Sequence, residues 1–249
     1  MTADRISSAV DVARPPGDQA SRMRQLLPQF VDPVDPASVY ADLPLTSDRP
    51  SVRLNMIASI DGATAVAGRS GALGGDADHE LFRVLRAQAD VVLVAAGTVR
   101  AERYGPSAVP LAIVTRSCRL DLDSPLFADA PTTPLVFTVA DAPLDRRERA
   151  SRVAGVIVAG ERDVDLRRVL SELGIRGYRA VLAEGGPTLN AQLAAADLID
   201  ELCLTVSPHL VGGDARRILA GPPLPAPRPL RPVSVCEQDG FLFLRMRPC

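Results

Sequence analysis

From Ser51 onward, short runs of β-branched and aliphatic residues alternate with amphipathic segments, a pattern that predicts an α/β domain. The runs read as strands are 51–58 (SVRLNMIA), 90–95 (DVVLVA), 110–115, 134–139, 153–159, 178–183 (YRAVLA), 201–206 (ELCLTV), 233–238 and 241–247 (FLFLRMR). Several are apolar at consecutive positions, as strands covered on both faces are. Helices are expected between them, over ADHELFRVLRAQ after Asp76, over DLRRVLSELG ending at Gly174, and over PTLNAQLAAA from Pro187. In the first, Leu81 and Leu85 stand at i, i+4 and face the sheet. Near the C-terminus, Asp239-Gly240 separates two strand-like runs and favours a two-residue hairpin turn. The sheet is therefore expected to be mixed: mostly parallel, with helices on both faces and a C-terminal antiparallel hairpin. Residues 1–48 read differently. DVARPPGDQ and FVDPVDPAS are rich in Pro and Asp, which predicts an irregular N-terminal arm with one short helix at SRMRQLLPQ, followed by a single domain over 49–249.

Composition narrows the function classes. The formal net charge of -2 and pI near 5.8 give no general attraction to nucleic acid or an anionic membrane, and neither is expected as a partner. No run approaches the roughly 20 apolar residues of a membrane span. The first residues carry Asp4, Arg5, Asp11 and Arg14 without an apolar core, so a cytoplasmic location is expected. Every one of the 28 basic residues is arginine, which excludes Schiff-base chemistry, pyridoxal-phosphate attachment and a P-loop lysine. Cys118, Cys203, Cys236 and Cys249 form no C-x-x-C pair, and the histidines are His79 and His209, so no metal site is expected. Cys203, inside an apolar run, reads as a buried small hydrophobe. The Gly-rich GRSGALGG at 68–75 lacks the spacing of a dinucleotide fingerprint.

The most informative stretch is VLAEGGPTLN, 181–190. Pro187 suits a first helical position, because its missing N–H would be unpaired there anyway. Gly185 and Gly186 leave the backbone bare, so an anion such as a pyrophosphate can approach the free N–H groups of the first turn. Thr188 adds a hydroxyl. Glu184 stands at the carboxyl edge of the sheet, where open α/β folds place their ligands. A tight corner with Glu184 capping local N–H groups fits the same residues.

Together with LNMIASIDG and LFRVLRAQADVVLVAAGTVRAE, the stretch from Val181 to Gly213 resembles the reductase domain of the bacterial riboflavin-biosynthesis deaminase/reductases. The resemblance covers about residues 49–247. It implies a dihydrofolate-reductase-like fold, NADPH as cofactor, reduction of the ribose of 5-amino-6-(5-phosphoribosylamino)uracil to a ribityl chain, and a homodimer. The zinc deaminase half of that family needs H-x-E and P-C-x-x-C, and neither occurs, so the chain resembles a stand-alone reductase.

Site residues carry over by the same resemblance. Ala58 and Asp61 of ASIDG lie beside the nicotinamide, although Asp61-Gly62 also reads as a plain turn. Gly97, Thr98 and Glu102 of GTVRAE form a cofactor-binding turn into a short helix. Thr115 and Arg116 end a strand and suit the 2′-phosphate of NADPH, with a solvated loop charge as the other reading of Arg116. Gly160, Gly185, Gly186, Thr188 and Leu189 complete the cofactor set, the two adjacent glycines being joined in this fold by a cis peptide. Ser70, Arg86 and Glu184 match substrate positions. His79, Arg83 and Arg86 share a helix face, so that face is either a phosphate contact or a solvated surface. The catalytic proton comes from Glu184, Asp61 or water. After AERYGP the family's Asp-Pro…Leu-x-x-Arg segment is replaced by SAVP. Two other readings compete: a dihydrofolate or pterin reductase on the same fold, and a non-catalytic NADPH-binding module.

Overall fold

The computed structural model describes residues 22–249. The expected DVARPPGDQ portion of the arm lies outside the described residues. One ten-stranded sheet forms the centre, in the order β1 (Arg24–Leu27), β9 (Leu230–Gln238), β10 (Phe241–Pro248), β8 (Glu201–Ser207), β2 (Ser51–Ser59), β7 (Ala180–Ala183), β3 (Val91–Ala95), β4 (Leu111–Val114), β5 (Leu135–Thr138) and β6 (Gly155–Val158). The strands from β8 to β6 run parallel, and β10, β9 and β1 add antiparallel pairs. Every strand read from the sequence is present, and the mixed sheet with its terminal hairpin is as expected. Asp239 and Gly240 both have positive φ, 55° and 82°, as the two-residue turn between β9 and β10 requires.

The elements follow from local chemistry. Val91–Val94 of β3 are fully buried, the signature of a parallel strand covered on both faces. Helix α2 (Asp76–Ala87) buries Ala77, Leu81 and Leu85, the expected i, i+4 stripe. Helix α6 (Leu166–Ile175) starts where the Asp165 carboxylate accepts from the backbone N–H of Arg167 and Arg168. Helix α7 (Pro187–Ala195) starts on its proline, as read. Shorter helices α1 (Pro36–Val39), α3 (Ala96–Ala101), α4 (Pro125–Ala128) and α5 (Leu144–Ala150) complete the set.

The helix expected at SRMRQLLPQ is corrected: Arg24–Leu27 is a strand. Pro28 has no N–H to give a helix interior, whereas the open edge of β9 offers a full ladder. Arg24 pairs with Glu237 across that edge at 2.6 Å, and Gln25 and Val31 exchange backbone bonds to turn the chain. Among the described residues, no helix is long and apolar enough to cross a membrane.

The sequence reading also missed an ion cluster. Glu201 is fully buried, and Arg53 Nε (2.6 Å), Arg245 Nη2 (2.8 Å) and Arg247 Nε (2.8 Å) converge on its carboxylate. Arg53 and Arg245 also flank the buried Tyr40 ring at 5.9 and 5.6 Å from its centre. Both reach the 39–42 segment, Arg53 through the Tyr40 carbonyl and Arg245 through the Val39 carbonyl and Asp42. The N-terminal segment is thereby fastened to the sheet by charge as well as by β1.

Candidate active site

A cleft of about 1490 Å³ opens at the carboxyl ends of the parallel strands. Its floor is Asn55, Met56 and Ile57 of β2, and its walls come from the starts of α3 and α7, the middle of α2, and the loops 64–74 and 211–216. These loops are tied down from beneath. Thr64 donates to the Arg216 carbonyl through both its N–H and its hydroxyl, Asn190 donates to the Ile218 carbonyl at 2.9 Å, and Ala220 N–H donates to the Pro187 carbonyl.

Glu184 leaves β7 into this cleft and is 7% exposed. Arg86 holds its carboxylate with two parallel bonds of 2.7 Å, from Nε to Oε1 and from Nη2 to Oε2. The Tyr104 hydroxyl donates to Oε2 at 2.5 Å. The Arg86 guanidinium stands 4.5 Å from the Phe82 ring centre and 5.4 Å from that of Tyr104. Burial alone would lower the Arg86 guanidinium, but the bond and charge of Glu184 outweigh it and raise its pKa. Burial, reinforced by the Glu184 charge, pushes the Tyr104 phenol well above its ordinary value, so it remains a donor.

The diglycine has a steric explanation. A methyl group on Gly186 would sit 2.7 Å from Thr98 Oγ1, so the turn before α7 lies against the first turn of α3 with room for no side chain. Gly185 has φ +82° and gives its carbonyl to Ala95 N–H at 2.7 Å. The Gly185–Gly186 peptide is cis. No side chain caps the start of α3 or of α7, so their first-turn N–H groups remain for a ligand.

Most residues singled out from the sequence meet here. Ser70, Gly97, Thr98, Glu102, Thr115, Arg116, Glu184, Gly186, Thr188 and Leu189 all line the cleft, as does His79. Glu102 and Ser70 meet directly, the carboxylate accepting from the Ser70 N–H at 2.8 Å and latching the 66–73 loop to α3.

Others stand elsewhere. Ala58 pairs with Val206 inside the sheet and leaves the cleft floor to the three residues before it. Asp61 does not line the cleft and is engaged with the 211–212 turn. It accepts from the Ser59 hydroxyl at 2.5 Å and the Gly212 N–H at 2.7 Å, and these bonds with that of Val211 pull its carboxyl down to about 2. Such a group is ionised at neutral pH, and it holds the 211–212 turn that lines the cleft. Gly160 is demanded by packing, since a methyl there would lie 2.1 Å from the Asp163 carbonyl. Gly185 is not among the residues that line the cleft, although its neighbour Gly186 is. Arg86 pairs with Glu184 through Nε and Nη2. Arg83 bonds the His79 carbonyl on the exposed side of α2. Arg116 is paired with Asp163 at 3.2 Å, both well exposed. Tyr104 and Asn190 were not singled out from the sequence. The aromatic directly after GTVRAER was the available signal for the first, and the second sits in the quoted PTLN turn.

Residues 50–240 match the model of the RibD C-terminal domain family. The chain belongs to that family. It is 34% identical over 185 residues to the 2,5-diamino-6-ribosylamino-4(3H)-pyrimidinone 5′-phosphate reductase of Methanothermobacter thermautotrophicus, covering 70% of this chain and 85% of that one. A reductase of the same name from Archaeoglobus fulgidus is 31% identical over 183 residues, covering 66% and 83%. The riboflavin biosynthesis protein RibD of Escherichia coli is 27% identical and is matched over only 53% of its length. The bacterial label of the expected resemblance is not borne out, since these reductases match at higher identity than RibD. In fold, the chain superposes on a pyrimidine reductase-like protein from Corynebacterium diphtheriae with a TM-score of 0.78 at 27% identity, covering 87% of this chain and 99% of that one.

Proposed function

We propose that this chain is an NADPH-dependent reductase that converts the ribosyl group of a ribosylaminopyrimidine 5′-phosphate to a ribityl chain in riboflavin biosynthesis. The observation that carries the reading is the bare diglycine turn placed beside the Glu184 carboxylate in one cleft, in a member of this family. The names of the archaeal relatives favour the 2,5-diamino pyrimidinone over its deaminated uracil counterpart as substrate.

The residues present suit a dinucleotide phosphate. Uncapped N–H groups at α3 and α7 with Thr98 and Thr188 suit the pyrophosphate, and Thr115, Arg116 and Ser117 at the end of β4 suit the 2′-phosphate. NADPH supplies a hydride when bound. With the cofactor bound, its hydride would reduce the former anomeric carbon of the ring-opened sugar imine, and the nitrogen would take a proton from water in the open cleft. Glu184 accepts a hydrogen bond from a substrate hydroxyl and so orients the reacting carbon. Ser70 contacts the same substrate, while Asp61 and Glu102 act by fixing the loops above it.

A second copy completes the proposal. Alternating burial leaves Leu202, Leu204, Leu242, Leu244 and Met246 half-exposed in adjacent rows of β8 and β10, an apolar face suited to a homodimer. Sedimentation at micromolar concentration giving only monomers contradicts that part.

The test of function is NADPH oxidation by the purified protein with the diamino pyrimidinone, its deaminated form and dihydrofolate in separate reactions. Turnover with a ribosylaminopyrimidine is expected. Turnover with dihydrofolate alone moves the protein to pterin chemistry.

A further inference from the structure

Glu184 is unusual in how few acceptor positions remain open to a ligand. Oε2 receives both Arg86 Nη2 and the Tyr104 hydroxyl, whereas Oε1 receives Arg86 Nε alone. A carboxylate oxygen has two lone pairs, so one acceptor position remains, on Oε1. Arg86 comes from α2 and is held between the Phe82 and Tyr104 rings, while Tyr104 comes from the chain after α3, where Tyr104 N–H bonds the Val99 carbonyl at 3.1 Å. Three separate elements, β7, α2 and the end of α3, therefore meet at one carboxylate in the cleft wall.

We propose that Tyr104 is a positioning residue. With Arg86 it fixes the Glu184 carboxylate in one orientation, leaving a single oxygen to accept from the substrate. The proposal rests on the reductase reading and deepens it: the substrate group that meets Glu184 is a hydrogen-bond donor, and Tyr104 acts through Glu184 rather than on the substrate. The raised phenol keeps its proton throughout the neutral range, so the clamp stays closed during turnover. A carboxylate free to rotate would present either oxygen and lose part of the orientation on which the rate depends.

The test uses Tyr104→Phe, Glu184→Gln and the double variant in the full chain. Phe keeps the ring on which Arg86 stacks and removes only the hydroxyl. Tyr104→Phe is expected to lower kcat about tenfold, the order expected for a lost hydrogen bond to a charged group, with the KM for NADPH essentially unmoved. The double variant is expected to be no slower than Glu184→Gln alone, because a residue acting through Glu184 has nothing left to act on. Losses that multiply in the double variant overturn the proposal. A second readout needs no substrate: the infrared carboxylate band of Glu184, isolated as the difference between wild type and Glu184→Gln, is expected to shift in Tyr104→Phe. An unshifted band contradicts the clamp. If wild type turns over no ribosylaminopyrimidine, the reductase reading falls, and the infrared band alone decides whether Tyr104 holds Glu184.

Discussion

Glu184 and Glu201 are both buried carboxylates held by arginine with a tyrosine alongside, and they stand close together on either side of β2. Arg53 of β2 is level with Glu201, and Leu54, the next residue, is level with Ala183, which precedes Glu184. Helix α2 serves both clusters, Arg86 bonding Glu184 and Gln88 bonding Arg53. Yet the two differ in what closes them. Three guanidiniums surround Glu201, the N-terminal segment covers it, and the hydroxyl of its neighbour Tyr40 has no partner among the described residues. Glu184 has one guanidinium, a tyrosine that donates, and an opening to the cleft. The same chemistry is a fastening where it is sealed and, on the reading proposed above, a ligand site where one acceptor is left open.

Removing each carboxylate should separate the two roles. The largest effect is expected from Glu201→Ala, which leaves Arg53 with no carboxylate and Arg245 and Arg247 with Asp42 alone, and costs about 3–5 kcal/mol on the scale of broken buried pairs. Urea unfolding measures it, and the remaining folded protein should keep its turnover. Acid adds a second check. Burial alone would raise the Glu201 carboxyl, but the bond and charge of Arg245, with the charge of Arg53, hold it below its usual range. Its contribution is therefore complete above the ordinary glutamate value and is lost as pH falls through the lower folded value, so the variant should show a flatter acid limb of stability.

Glu184→Gln is expected to show the opposite balance, a kcat lower by about 100-fold, of the order of a lost substrate orientation, with a much smaller change in unfolding midpoint than Glu201→Ala. Equal losses of stability in the two variants would erase the distinction.

How far the sequence disclosed this arrangement depended on the kind of signal. Strand and helix positions follow from apolar periodicity, which acts over neighbours in the chain, so α2, α7 and the C-terminal hairpin were legible. The diglycine turn was legible because backbone demands leave few residue choices. β1 was not, since a four-residue strand is decided by the distant edge of β9, and only Pro28 argued against a helix. Nor was the Glu201 cluster. Its charges sat in plain view at inward positions of FLFLRMR and SVRLN, but their partner lies about 150 residues from Arg53 in the chain. Arg86 was recognised but its pairing with Glu184 was not, because a free guanidinium and a paired one look alike until Glu184 is placed beside it.

Smaller effects sharpen the comparison at the cleft itself. Gly186→Ala puts a methyl group against Thr98 Oγ1 and is expected to weaken NADPH binding about tenfold, the scale of an overpacked contact of 1–3 kcal/mol, measured by fluorescence titration, while Glu201 variants leave that affinity alone. Asp61→Asn keeps the turn but weakens the acceptor for Gly212, and faster amide exchange at Gly212 should report it. In wild type the protection of Gly212, taken against the intrinsic exchange rate at each pH, should fall only as pH drops toward about 2, where Asp61 protonates. The smallest change is expected from Asp163→Asn, whose exposed pair with Arg116 contributes well under about 1 kcal/mol. Unchanged stability, with NADPH preference over NADH retained, is the predicted result.

The most direct measurement of the central claim follows the hydride. NADPH carrying deuterium at both C4 positions is turned over with the 2,5-diamino ribosylaminopyrimidinone phosphate, and the product is analysed by mass spectrometry and NMR. Deuterium on the former anomeric carbon of a ribityl chain, formed by wild type and by the refolded fraction of Glu201→Ala but much more slowly by Glu184→Gln, is the predicted result. Oxidation of the cofactor without deuterium at that carbon, or equal rates in the Glu184 variant, would contradict it.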